Sequence, residues 1–225
     1  MIKSIYNKMW DDSLEKISKN ELELDPFIDD PDDLRRGIGL LAKPGRETLD
    51  MFNKFLEEAK RIEPTQYFYK IDEIHITVLS IINCTIEFNI SQISLPDYVK
   101  QIKNCLIDIQ SFEIEFRGIT ASPSCILIQG FPKNNSIDLI RNNLREQFSK
   151  GILYHSIDKR YRIKTAHCTI IRYKNQLRDN KVFIDFLIKY RDVYFGKSLI
   201  NELELIYTDW YNRKENVHVL HKFKL

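Results

Sequence analysis

Apolar positions along the 225-residue chain alternate between helical spacing and the two-residue period of strands. Helical spacing predicts helices near the start of the chain and over residues 46–62, 94–110, 134–150 and 179–192. Alternating or β-branched runs predict strands over residues 36–43, 66–71, 74–82, 112–123, 125–131, the end of 155–173, 195–211 and 216–225. Helices and strands mix in both halves, and the strands suggest antiparallel hairpins. We therefore expect an α+β fold with two similar lobes.

The first 36 residues differ from the rest of the chain. A stretch with helical spacing is followed by an acidic stretch that contains Pro26 and Pro31, which is typical of turns. Its aspartates lack the glycine and the spacing of a calcium-binding loop. We therefore interpret residues 1–36 as a helical and acidic N-terminal segment, with a solvated connector at its end.

Composition narrows the class of protein. The chain is 43% hydrophobic and 29% charged, with a net charge of +2, so it is not built to coat long nucleic acid. The four cysteines have neither C-x-x-C pairing nor zinc-ligand spacing. The sequence shows no signal peptide and no membrane-spanning run. These features predict a cytoplasmic protein in a reducing compartment.

Two tripeptides repeat each other, His75-Ile76-Thr77 and His167-Cys168-Thr169. Each lies in a predicted strand, where alternate side chains point to the same face, so the histidine and threonine of each motif share a face. Two such strands facing each other would bring two imidazoles and two hydroxyls into one cleft. That set of groups suits acid–base chemistry on a phosphate.

Other chemistry is less favoured. Two histidines alone provide too few ligands for zinc, so we expect no metal and no cofactor. Cys168 points away from the face of His167, which disfavours a cysteine nucleophile. We interpret His155, His218 and His221 as structural or exposed histidines.

With these motifs the chain resembles the 2H phosphoesterase superfamily, which is named for two H-x-[ST] motifs and includes bacterial 2′,3′-cyclic phosphodiesterases also called 2′-5′ RNA ligases. "HITVLS" resembles the first family motif, "HCTIIR" the second, and "LELIYTDWYNRKENVHVL" the final hairpin. The resemblance covers residues 37–225. It implies two pseudo-symmetric lobes, each an antiparallel sheet backed by helices, with a central active-site groove.

The resemblance also implies an activity, metal-independent hydrolysis of a 2′,3′-cyclic phosphate or a 2′-5′-type linkage in a nucleotide or short RNA. His75 and His167 would be the catalytic acid and base, in an order that the sequence does not decide. Thr77 and Thr169 would donate hydrogen bonds to the phosphate oxygens. We expect a monomer with no stable protein partner and no association with membranes.

Three further residues precede or follow the motifs. Tyr69 and Tyr161 are candidates for contacts with a base, although ordinary packing on a sheet explains each equally well. Arg172 matches the last position of the common family motif H-x-T-x-x-R. It lies five residues after His167, so ideal alternation puts it on the opposite face, and we expect a structural role.

Two other interpretations remain open at this point. The same groove could bind a nucleotide without turning it over, with the histidines and threonines holding a phosphate. Alternatively, the repeat of H-x-T could be a coincidence in an α+β protein, in which case the two histidines would lie far apart.

Overall fold

A computed structural model of the chain describes residues 2–225, and the helices and strands have the following bounds. The helices are α1 (Ile2–Ser18), α2 (Arg46–Ile62), α3 (Leu95–Cys105), α4 (Ser136–Lys150) and α5 (Asn180–Lys189). The strands are β1 (Arg36–Ala42), β2 (Tyr67–Phe68), β3 (Ile76–Thr85), β4 (Phe112–Ser122), β5 (Cys125–Pro132), β6 (Cys168–Arg172), β7 (Tyr194–Ile200), β8 (Glu202–Asp209) and β9 (His218–Lys224). Within the described residues, no helix combines the length and apolar character needed to cross a membrane.

The strands form one antiparallel sheet in the order β7-β4-β5-β6-β3-β1-β8-β9, with β2 beside β6. Its first half contains β3, β1, β8 and β9, and its second half contains β7, β4, β5 and β6. The halves join where Ile76 of β3 pairs with Cys168 of β6. The expected α+β fold with two lobes is confirmed, and the two lobes are halves of one continuous sheet.

Each half is built around a strand–helix–strand unit, β1-α2-β3 in one and β5-α4-β6 in the other. In both units the second strand carries an H-x-T motif. The connecting helices pack on the opposite half. Phe52 of α2 contacts Phe116 and Phe195 of the second half, whereas α4 packs on β3 of the first half. We call this arrangement the helix exchange.

The predicted strand over residues 195–211 is wrong in one respect, because it is two strands. β7 ends at Ile200 and pairs with β4, and β8 begins at Glu202 and pairs with β1 in the other half of the sheet. Exposed Asn201 separates them. Neither glycine nor proline marks the break, so the apolar pattern runs through it without a local signal.

The N-terminal segment contacts both halves of the sheet. Helix α1 packs on β4 and α5, and the Tyr6 hydroxyl both donates to the Gly130 carbonyl and accepts from its amide. The following residues 19–35, which we call the strap, then cross between the halves. Asp25 donates its amide to the Tyr173 carbonyl in the second half and accepts from the Tyr211 hydroxyl beside the first.

Candidate active site

One cleft of about 400 Å³ lies on the sheet where β3 and β6 meet, and both H-x-T motifs line it. Because Ile76 pairs with Cys168 in an antiparallel register, His75 lies across from Thr169 and Thr77 lies across from His167. All four side chains are half-buried. In the described part of the chain, neither threonine hydroxyl has a hydrogen-bond partner, so both are free to donate into the cleft.

His75 is held by a backbone carbonyl. Its Nδ1 lies 2.8 Å from the Glu73 carbonyl oxygen, and since a carbonyl can only accept, Nδ1 carries a hydrogen and Nε2 is the basic nitrogen of the neutral ring. The Asn212 amide nitrogen lies 2.8 Å from Nε2 and 3.2 Å from Nδ1. An atom that close to both nitrogens lies against the face of the ring.

His167 has a different partner. Its Nδ1 is 2.7 Å from the Thr165 hydroxyl, which can either donate or accept, so this bond is compatible with both neutral tautomers. Burial lowers the pKa of His167 to about 4, and the positive charge of Arg141 contributes. Burial likewise lowers the pKa of His75 to about 4, against the opposing effect of the Glu73 hydrogen bond. Both rings are therefore neutral near pH 7 in the unliganded protein.

The expected orientation of Arg172 is wrong. Leu127 of β5 pairs with Thr169 while Ile126 pairs with Ile171, so Ile170 is an extra residue on β6. After this β-bulge, each side chain points to the face opposite the one that ideal alternation gives it. Arg172 therefore points into the cleft, beside the two motifs. Sequence reasoning treated β6 as an ideal strand, and a bulge has no reliable local signal.

Tyr69 supports Arg172. Its side chain is only 3% exposed, and its hydroxyl accepts a hydrogen bond of 2.9 Å from the Arg172 guanidinium. Tyr161, the other tyrosine proposed for base contacts, is exposed and lies on the loop between α4 and β6 that borders the cleft. The burial of Tyr69 leaves no free ring face for a base, whereas Tyr161 offers one.

An aromatic side chain that the sequence analysis did not single out lies at the centre of an arginine cluster. Trp210 has the guanidinium carbons of Arg160, Arg35 and Arg172 at 4.0, 5.3 and 5.6 Å from its ring centroid. These distances are those of cation–π contacts. No local pattern points to Trp210 itself, and the basic run of residues 159–164, which contains Arg160, is equally typical of a solvated loop.

The loop that carries Trp210 and Asn212 is fixed at its base. The buried carboxylate of Asp209 accepts hydrogen bonds from the amides of Tyr211 and Arg213 and from the Asn216 side chain. Asn212 adopts the left-handed backbone conformation, with φ of 56°, which asparagine tolerates better than most residues. The polar residues 212–216 are typical of a turn, but they do not predict the contact with His75.

The remaining histidines pack elsewhere. His155 contacts Phe148, His218 contacts Tyr207 and His221 contacts Phe223. Cys168 lies in the core. Across residues 2–225, His, Cys, Asp and Glu side chains form no group of three or more that is placed to hold a metal ion.

Solved structures share this architecture. TT0787 of Thermus thermophilus superposes with a TM-score of 0.58 at 15% identity, over 84% of this chain and 97% of that one. Escherichia coli LigT, a 2H phosphoesterase crystallised with 3′-AMP, gives 0.56 at 10% identity, over 85% and 98%. The chain has the fold of the 2H phosphoesterases. A third structure with the 2H fold, the conserved protein of unknown function ATU0111 from Agrobacterium tumefaciens, gives 0.56 at 12% identity, over 92% and 98%.

The likeness to the 2H fold is structural. No family model and no curated protein matches the sequence. The superpositions nevertheless span 97–98% of these neighbours' own chains, so this protein contains their whole folded unit.

Proposed function

We propose that this protein is a metal-independent phosphodiesterase that hydrolyses a 2′,3′-cyclic phosphate or a 2′-5′-type linkage in a nucleotide or short RNA. The observation that carries the proposal is the placement of both H-x-T motifs in one cleft, each histidine across from the threonine of the other motif. This placement argues against a coincidental repeat, for which we expected the two histidines to lie far apart. LigT, which has a similar fold, has been crystallised with 3′-AMP, ATP and phosphate. These complexes support the proposal of a nucleotide substrate for the present protein.

Positive charge around the cleft favours an anionic substrate. Arg172 lines it, and the charges of Lys43 and Arg172 both lower the pKa of His75. A group that disfavours an imidazolium in this way favours a phosphate at the same place. Free hydroxyls on Thr77 and Thr169 then provide neutral donors to the non-bridging oxygens, where charge increases in the transition state.

Proton transfer needs one neutral and one protonated imidazole. Because both histidines are neutral near pH 7 without substrate, one of them takes a proton from solvent when the phosphate anion binds, since the negative charge raises the pKa of that imidazole. The neutral ring takes a proton from water as the new oxygen–phosphorus bond forms. The imidazolium gives its proton to the ribose oxygen as the phosphorus–oxygen bond breaks. The resemblance to 2H enzymes favours a 2′-phosphate as the product of a cyclic substrate.

A base has a place to bind beside this centre. Arg160 lies over Trp210 from the loop between α4 and β6, and exposed Tyr161 is its neighbour. Stacking on aromatic rings is worth roughly 1–3 kcal/mol per base and tolerates any sequence. We propose that the base stacks on exposed Tyr161, because Tyr69 is buried and Arg160 already covers the Trp210 ring.

The test is turnover of the four nucleoside 2′,3′-cyclic monophosphates and a 2′-5′-linked dinucleotide in EDTA. We expect product from the wild type, and a loss of about 10²–10⁴-fold in His75→Ala and in His167→Ala. His218→Ala, an exposed histidine on β9, is the matched control. Saturable binding without product from any of these substrates would instead establish a nucleotide-binding module.

A further inference from the structure

Arg141 is a buried guanidinium that the proposed reaction does not yet use. It lies in the middle of α4, and its side chain is 1% exposed. Its Nε donates to the Val78 carbonyl at 2.8 Å. One terminal nitrogen donates to the carbonyls of Thr77 at 3.1 Å and Thr165 at 2.8 Å. These three carbonyls belong to the two motif strands and the segments that lead to them.

The carbonyls that Arg141 bonds lie where the two halves of the sheet join. The halves of the sheet pair through Ile76 and Cys168, and beyond this pair the two strands diverge. Beyond this pair the ladder between the two strands supplies no donors, and a buried carbonyl that lacks a donor is costly. The single guanidinium of Arg141 supplies such donors. It thereby links Thr77 of the first motif to Thr165, which lies just before the second motif.

Thr165 extends this link to the imidazole. Its carbonyl accepts from Arg141, while its hydroxyl bonds Nδ1 of His167. If the guanidinium moved, Thr165 would move with it and would shift the imidazole of His167. Thr77 would also move, because Arg141 bonds its carbonyl and its hydroxyl lies in the cleft.

The charge of Arg141 is poorly balanced by carboxylates. Its ion pair is with Asp138, at 3.9 Å, and that carboxylate is 67% exposed. A buried charge without a close buried partner costs more than a hydrophobic residue of similar size. Burial lowers the pKa of Arg141 to about 10, so it remains protonated at neutral pH. The three hydrogen bonds to carbonyls offset part of this cost, and an anion bound on the cleft side of the same strands would offset more of it.

We propose that Arg141 is a positioning residue that aligns the two H-x-T motifs across their joint and gives the cleft a fixed positive charge for a phosphate group. The inference rests on the proposed function, because it assigns Arg141 to that same site. The charged and titratable groups that act on His167 are Arg141 from α4, His75 from the segment before β3, and Arg172 from β6.

The experiment compares Arg141→Gln, Arg141→Lys and Arg145→Gln. Arg145 is the matched control, since it lies on the same helix, is also largely buried, and bonds Asp158 and the Ile163 carbonyl instead of the motif strands. Three quantities are measured for each variant: the pKa of His167 by NMR titration, the affinity for inorganic phosphate by calorimetry, and kcat with KM. Thermal unfolding records whether each variant is folded.

We expect Arg141→Gln to raise the pKa of His167 and to weaken phosphate binding about tenfold, because the substitution removes a positive charge close behind the motif strands. Arg141→Lys keeps the charge but cannot reach three carbonyls, so kcat should fall while phosphate affinity stays near that of the wild type. Arg145→Gln should lower the melting temperature and leave the pKa of His167 unchanged.

Wild-type values of the His167 pKa and phosphate affinity in folded Arg141→Gln would overturn the inference, as would equal changes in Arg145→Gln. If Arg141→Gln does not fold, Arg141→Lys decides, because unchanged kcat in that variant contradicts the positioning role. The titration and the phosphate affinity need no turnover. A wild type that binds phosphate but hydrolyses nothing would therefore refute the proposed function separately.

Discussion

At the scale of single residues, the two motifs are alike in sequence but not in their hydrogen bonds. His75 is fixed by the Glu73 carbonyl, whereas His167 depends on the Thr165 hydroxyl. A carbonyl imposes one tautomer and a hydroxyl accommodates two. Nε2 is therefore fixed as the basic nitrogen of His75, whereas either nitrogen of His167 can be basic. The difference comes from residues outside the H-x-T tripeptides.

Replacing Thr165 with valine should impair His167 selectively. The substitution keeps the shape but leaves Nδ1 of His167 without its partner, which costs about 1–3 kcal/mol in a buried setting. We expect a lower free energy of unfolding in urea and a lower kcat. Thr208→Val is the stability control, because the Thr208 hydroxyl is buried without a hydrogen-bond partner. Equal losses in the two variants would contradict this assignment.

Acid should destabilise the protein through both cleft histidines. Their folded pKa values, about 4, lie below the ordinary value of about 6.5. Between those values the unfolded chain binds protons that the folded chain does not, so the free energy of unfolding falls as the pH falls from about 6.5 to about 4. Urea unfolding across this window measures the slope.

His75→Gln and His167→Gln should each reduce that slope, because each removes one group whose pKa differs between the two states. His218→Gln, at an exposed position, is the control for replacing a histidine. A slope that neither cleft variant alters would show that other groups cause the acid sensitivity.

At the scale of elements, β-bulges decide which side chains reach the cleft. Thr77 and Ser80 of β3 both line it although they are three residues apart, because Val78 is an extra residue against β1. The bulge at Ile170 does the same for Thr169 and Arg172. The equivalent strands of the two halves thus share a three-residue spacing, which strict alternation of side chains does not anticipate.

Gly130 on β5 is the position where a small change should disturb the second motif. A Cβ there would lie 1.9 Å from the Ala166 carbonyl oxygen, directly before His167. We expect Gly130→Ala to lower the free energy of unfolding by about 1–3 kcal/mol, as overpacking does. Gly39→Ala on β1 is the matched control, since its Cβ would meet the Leu41 side chain at an ordinary 3.5 Å. Comparable melting temperatures for the two variants would refute the steric argument.

Local patterns predicted most elements and the residues of the two motifs, because apolar periodicity and β-branched runs report directly on local conformation. They did not predict the inward turn of Arg172 or the contact of Asn212 with His75. The first depends on one unpaired residue in a ladder, and the second on a loop folding back over the sheet. Both are decided by tertiary pairing, about which a short window of sequence carries little information.

At the scale of the whole molecule, the helix exchange predicts that the two halves unfold as a single cooperative unit. Phe52, encoded in the first half, is buried between Phe116 and Phe195 of the second. Arg141, encoded in the second half, bonds carbonyls of the first. Neither half can bury its sheet with its own connecting helix.

The two tryptophans can test this cooperativity. Trp10 packs on the second half and Trp210 follows the last residue of β8 in the first. In Trp210→Phe the remaining Trp10 reports on the second half, whereas in Trp10→Phe the remaining Trp210 reports on the contact of the first half with Arg160 and Arg172 of the second. We expect the fluorescence transition of the remaining tryptophan in urea to coincide with the circular dichroism transition of the same variant. Separate midpoints would mean that the halves unfold independently.

The order of the strands also has a consequence for synthesis. β1 is among the first strands to leave the ribosome, but its second neighbour, β8, is among the last. At about 5–20 residues per second, one edge of β1 stays unpaired for roughly 8–32 s until that neighbour is synthesised. During this time the nascent chain presents an apolar strand with unpaired backbone groups, which is a template for aggregation. Chains that terminate before residue 202 lack β8 and keep that edge of β1 unpaired. We therefore expect a premature stop codon late in the gene to give an aggregation-prone protein as well as an inactive one.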